Sequence, residues 1–242
     1  MTSTPFQVRD GTSPDDADFI VAAFDSSIAY LDSTGNGGQW GTQLFSSSSG
    51  FLESTRHDIE QSVNFSQTGQ GERIRVFIAQ VDDAAAGGRD SKSDSDSDND
   101  GLSRTTDRKQ GKTMLSVGAM TIRDNEFARF IDLDGGDLKP HVDAARGAGG
   151  FVFVDVVVTD YRAGAARRGA GCALLDKAKE YARDRGTTAV YLTCWTGGTG
   201  KLVPYYEKHG FKAIQAFGFD RKDGSVWPGM LMRLSISSKE AQ

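Results

Sequence analysis

A layered α/β fold, with helices covering a mixed sheet, is what this 242-residue chain predicts. Three observations carry that reading. Residues 156–175 pass from a β-branched apolar strand through a basic, glycine-rich turn into a helix. Residues 189–211 then give a second strand, a short helix bearing Tyr205 and Tyr206, and a closing Gly-Phe pair. Upstream, residues 74–81 and 114–122 have the alternation and composition of strands and are expected to pair as an antiparallel hairpin.

In chain order, residues 6–9 suit a first strand. Ser13-Pro14-Asp15-Asp16 is a helix start, because serine caps the free N–H groups, proline is preset for the first turn, and the acids meet the positive end of the dipole. The helix that follows puts Phe19, Ile20, Ala23, Phe24, Ile28 and Leu31 on one face. A second helix is expected over about 51–63. Phe24, Tyr30, Trp40 and Phe45 read as core aromatics. Residues 84–112 contain a Ser/Asp repeat too polar and too charged to bury a core, and read as a disordered acidic insertion that expands the hairpin turn. After the turn at 159–169, Leu174, Leu175, Ala178 and Ala182 recur at helical spacing, and Gly186 ends that helix. A strand over 189–195 and a helix over 201–209, stopped by Gly210, complete this half.

The turn has the composition of an anion site. A helix start leaves four N–H donors free and carries roughly half a positive charge. Gly169 and Gly171 keep side chains away from the backbone there, and Arg167 and Arg168 add formal charge. Neither the dinucleotide glycine spacing nor a Walker lysine is present, so the phosphate belongs to another ligand class.

In this order of elements the chain resembles the GCN5-related N-acetyltransferase (GNAT) superfamily, and the specific matches span residues 150–212. Ala166-Arg167-Arg168-Gly169-Ala170-Gly171 is similar to the family's Gln/Arg-x-x-Gly-x-Gly/Ala turn, with Ala166 in place of the first cation and a slightly longer loop before it. Tyr206-Glu207-Lys208-His209-Gly210-Phe211 resembles the Tyr-Glu-Lys-x-Gly-Phe signature, whose tyrosine lies near the coenzyme sulfur. The resemblance implies a mostly antiparallel twisted sheet with splayed central strands, and acetyl-CoA as acyl donor with no metal. It also implies cofactor contacts at Val156, Val157, Val158, Arg167, Arg168, Gly169, Ala170, Gly171 and Cys172, with Thr199 where many members carry a pantetheine-binding asparagine. Tyr206 is then the expected proton donor to the thiolate, with Tyr205 the competing neighbour. The carboxylate often found on the central strand falls at Val154, next to Asp155, which a β-bulge would turn inward as base or water-orienting residue.

Composition agrees with a single domain over residues 1–242. A formal charge of -5 gives no basic face for nucleic acid, and two cysteines are too few for a disulfide framework. Cys172 and Cys194 read as packing residues, and His57, His141 and His209 show no metal spacing. Without a leader or an 18-residue apolar run, a cytoplasmic monomer or homodimer is expected. The favoured function is transfer of acetyl from acetyl-CoA to a primary amine of a small molecule. Two alternatives stay open: a protein lysine or N-terminal acetyltransferase, and a noncatalytic acyl-CoA-binding module.

Overall fold

The computed structural model describes residues 5–84, 100–107, 111–134, 136–148, 150–221 and 224–236. Eight strands form one sheet: β1 (Phe6–Asp10), β2 (Ile74–Asp82), β3 (Arg104–Asp107), β4 (Lys112–Asp124), β5 (Phe151–Thr159), β6 (Ala189–Trp195), β7 (Lys212–Asp220) and β8 (Val226–Ser235). Their order is β1-β2-β4-β5-β6-β8-β7, with β3 on the free part of β4. Every pairing is antiparallel except that between β5 and β6.

Cross-strand partners share a face, which sorts the core into two layers. On one side α5 (Ala170–Asp184) lays Leu174, Leu175, Ala178 and Ala182 on Met120, Ile122, Val152, Val154 and Leu192. This is the stripe expected from the sequence, and each buried leucine contributes about 1.5–3 kcal/mol. On the other side α1 (Pro14–Ser33) and α2 (Phe51–Thr68) cover Val76, Ile78, Ala119 and Val158. Two helices that the sequence did not announce, α3 (Arg129–Asp134) and α4 (Lys139–Gly147), cover Phe151, Phe153 and Tyr191 on that same side.

Local chemistry explains how α1 starts. Ser13 and Asp16 form a reciprocal capping box. Asp16 is buried, which alone would raise its pKa, but the Arg9 guanidinium at 2.6 Å and the N–H groups of Thr12 and Ser13 outweigh burial and hold it low. α2 runs to Thr68, five residues past the expected end, until Gly69 caps it at φ 69°.

Part of the segment read as an acidic insertion is built into the sheet. Residues 104–107 form β3, pairing Arg104 with Leu115 and Asp107 with Lys112. Leu102 packs on the α5-side core, the Gly101 carbonyl accepts from Arg162, and Thr105 accepts from the buried Gln80 amide. Residues 85–99 and 108–110 lie outside the described residues. Excision of 84–111, tolerable if the whole segment were unpaired, is therefore expected to lower the melting temperature by several degrees. Stopping the excision at residue 99 should spare these contacts and leave the melting temperature near that of the intact chain.

Candidate functional site

The site is built where the parallel pair, the only one among the described residues, comes apart. β5 and β6 are in register from Phe151↔Ala189 to Val154↔Leu192 and no further. Beyond that vertex β5 keeps β4 on one edge, while Asp155, Val156 and Val157 on the other side are half-buried rather than sealed. The opposite wall is Thr193, Cys194 and Trp195 of β6. Main-chain donors and acceptors along an unpaired strand edge are free to bind an extended amide chain as an additional strand would.

Asp155 marks the vertex. Thr121 pairs with Val156 and Ile122 with Val154, so Asp155 is the extra residue of a β-bulge. Its Oδ2 accepts from Arg123 Nε at 2.7 Å, and both side chains are about three-quarters buried. Val154, by contrast, faces the α5-side core. A second carboxylate, which the sequence reading missed, belongs to the same group. Asp58 of α2 is half-buried and pushed up to about 6, chiefly by burial. Arg123 and His57 pull it down, and Asp155 and Glu72 push it further up.

At the far end of the splay, residues 161–167 form a 3₁₀ segment that delivers Gly169, at φ 97°, as the N-cap of α5. Gly169 and Gly171 put no side chain of their own on the start of α5, where the Phe6 ring and the Tyr205 hydroxyl each lie 2.9 Å from where a Cβ on Gly169 and Gly171, respectively, would sit. Ala170 is buried at this turn and Arg168 is exposed. The Arg167 guanidinium lies 3.6 Å over the Tyr161 ring, which stacks on Tyr30 at 3.9 Å, and its buried Nε has no protein partner. Cys172 Sγ is 3.8 Å from Asp176 and 3.9 Å from His209. Burial and Asp176 push its thiol up, so it remains a thiol.

α6 (Leu202–Lys208) separates the two tyrosines as helical geometry requires. Tyr205 is 36% exposed and turns to the start of α5, its phenol pushed up to about 12 by burial. Tyr206 packs on the α5-side core against Phe211, close to Cys194, and burial raises its pKa well above that of a free phenol. Its proton is therefore held throughout the physiological range.

Thr199 is committed to a latch. Its N–H and hydroxyl both donate to Asn36 Oδ1 at 3.1 Å. The strap behind α1 is held again where Trp227 Nε1 donates to the Gln39 carbonyl and Arg221 to those of Gly38 and Gln39. Under it lies the Trp195 indole, packed so closely that a Cβ on Gly38, Gly197 or Gly198 would come within 3 Å. Phe24, Trp40, Phe45 and Phe51 pack on one another beside the strap. A concavity of about 340 Å³ between α1 and α2, lined by Pro14, Arg56 and Asn64, lies away from the splay and gathers no such chemistry.

With the splay, the bulge and the helix start in place, residues 118–211 match the model of the acetyltransferase (GNAT) family. Those residues resemble a GNAT acetyltransferase domain. Solved structures share its fold. Arabidopsis thaliana NAA60, determined with a bisubstrate analogue, is 13% identical with a TM-score of 0.54 over 97% of this chain and 99% of its own. The yncA protein of Salmonella typhimurium, determined with acetyl-CoA, is 10% identical with a TM-score of 0.52 over 98% of each chain. A third, from Desulfovibrio desulfuricans and assigned to the same family, is 11% identical with a TM-score of 0.50, covering 96% of this chain and 99% of its own. No curated protein matches the sequence.

Acetyl-CoA is the cofactor in the yncA structure. The residues of this chain fit that cosubstrate, with a free strand edge for the pantetheine amides, a helix start built on Gly169 and Gly171, and the orphaned Arg167 Nε at the turn. Among the described residues no group of His, Cys, Asp and Glu could hold a metal ion, and no helix is long and apolar enough to cross a membrane.

Proposed function

We propose that this chain, as one catalytic domain over residues 1–242, acetylates a primary amine of a small molecule. The observation that carries the reading is the splay itself, a free β5 edge running from Asp155 to the N-terminus of α5. Val156, Val157 and Val158 would hold the pantetheine arm through their main chain. Arg167, Arg168 and the N–H groups around Gly169, Ala170, Gly171 and Cys172 would hold the diphosphate. Thr199, locked to Asn36, would order the loop beside the arm.

Bound acetyl-CoA supplies an acetyl group already activated as a thioester. The chain's own task is to place the amine, stabilise charge on the carbonyl oxygen and return a proton to sulfur. A main-chain N–H at Val156 or Val157, next to the bulge, is assigned to the oxygen. Asp155, with one oxygen held by Arg123, orients the incoming amine. Tyr206 Oη gives its proton to the sulfur.

The closed strap favours a small acceptor over a polypeptide. Three separate contacts pin residues 36–39 across Trp195, and we read this strap as a cover over the acceptor side. A panel of small amines and of peptides, assayed with acetyl-CoA by free-thiol release, tests this. Turnover of a small amine is expected. Release with peptides alone would instead make the chain a protein acetyltransferase, and coenzyme binding without any release would make it a binding module.

A further inference from the structure

We infer that Asp58, on α2, is the general base that takes the acceptor's proton, with Arg123 and Asp155 as the pair that positions it. This rests on the acetyltransfer reading and names a residue which the family resemblance does not supply.

The argument is one of placement. Along α2, Thr55, Ser62 and Phe65 are buried and Ser62 Oγ accepts from the Val76 N–H, so this stripe rests on the sheet. Asp58 falls at the helical spacing of this stripe, one turn before Ser62, is half-buried, and feels the charge of Arg123. Arg123 pairs with Ile74 on one side and Phe153 on the other, and its Nε reaches up to Asp155 at the splay vertex. Asp155 is hydrogen-bonded to that guanidinium at the splay vertex, and Asp58 lies within its electrostatic reach. They are not equivalent. Asp155 commits one oxygen to the Arg123 guanidinium. Asp58 shares the field of Arg123 without a hydrogen bond to it. The charged groups facing this cluster are His57, Glu72, Glu126, Arg123 and Asp155.

The step balances simply. The acceptor ammonium loses one N–H proton to an Asp58 oxygen, directly or across a water, and the electron pair stays on nitrogen for attack on the thioester carbonyl. Asp58 passes this proton to solvent, the thiolate takes its proton from Tyr206, and the second proton that the nitrogen sheds after attack returns, across water, to the Tyr206 phenolate. An acid held near 6 is ionised at neutral pH yet a far stronger base than an ordinary aspartate, which is what this role needs.

Asp58→Asn keeps size and helix position, and the charge it removes is one that burial disfavours, so the melting temperature at pH 7 should not fall. Thiol release from acetyl-CoA, read between pH 5 and 9 with the best amine of the panel and with water alone, should drop about 10²-fold at neutral pH. In the wild type kcat/KM is lost as pH falls through about 6, and in the variant that limb should vanish. Arg123→Gln, which removes the cation that lowers Asp58, should move the limb to higher pH. A ¹³C titration of the Asp58 carboxyl gives an answer independent of any acceptor. Titration in the ordinary carboxylate range, or variant rates equal to wild type, would overturn the assignment. A wild type that binds coenzyme A but releases no thiol at all would refute the transfer reading instead, and the carboxyl titration would still decide the placement of Asp58.

Discussion

Tyr206→Phe is expected to lower turnover roughly 10²-fold or more while leaving the fold and coenzyme affinity intact. The ring makes the packing contacts with Phe211 and the α5-side core, and phenylalanine keeps them. Only the hydroxyl is lost, and with it the proton held by a phenol that burial has pushed up. Because solvent supplies fewer protons as pH rises, the deficit should widen above neutral pH. Tyr205→Phe is the matching control. Its hydroxyl lies over Gly171 at the start of α5, so its loss should weaken coenzyme binding modestly and leave kcat nearly unchanged. Steady-state kinetics on both variants separates the roles. Wild-type turnover in Tyr206→Phe would make that tyrosine structural, and a dead Tyr205→Phe would exchange the two.

The second large effect concerns the turn. Valine at Gly169 or Gly171 should abolish stabilisation by coenzyme A, but for different reasons. Gly169 sits at φ 97°, and a Cβ there would also come 2.9 Å from the Phe6 ring of β1. Strain of about 1–3 kcal/mol is expected before any ligand is considered, which for a chain of this size lowers the melting temperature by roughly 2–12 °C. Gly171 is helical, and a Cβ would meet only the mobile hydroxyl end of Tyr205. Gly171→Val should therefore melt close to the wild type and still show no shift with coenzyme A. Thermal denaturation with and without the coenzyme distinguishes the two. A normal shift in Gly171→Val would remove the diphosphate from the start of α5.

What the sequence made legible was whatever depends on local period and short motifs. The α5 stripe from Leu174 to Ala182, the Ser13 cap and the turn at Gly169 each follow from neighbours a few residues apart. β3 was hidden because Arg-Thr-Thr-Asp has no apolar side to advertise, and its order comes from β4, Arg162 and Gln80. The bulge at Asp155 was only conditional in the sequence, since register is set by β4. The Asn36–Thr199 latch and the influence of Arg123 on Asp58 join residues far apart in the chain, and no local signal announces either. α3 and α4 are short and surrounded by glycine and aspartate, which weakens any period they carry.

Calorimetric titration of the wild-type chain with coenzyme A tests the central claim most directly, because it needs no knowledge of the acceptor. One coenzyme should bind per chain, with affinity that Gly171→Val removes and Tyr206→Phe preserves. Absence of binding heat at millimolar coenzyme, matched by an unchanged melting curve, would contradict the account at its root.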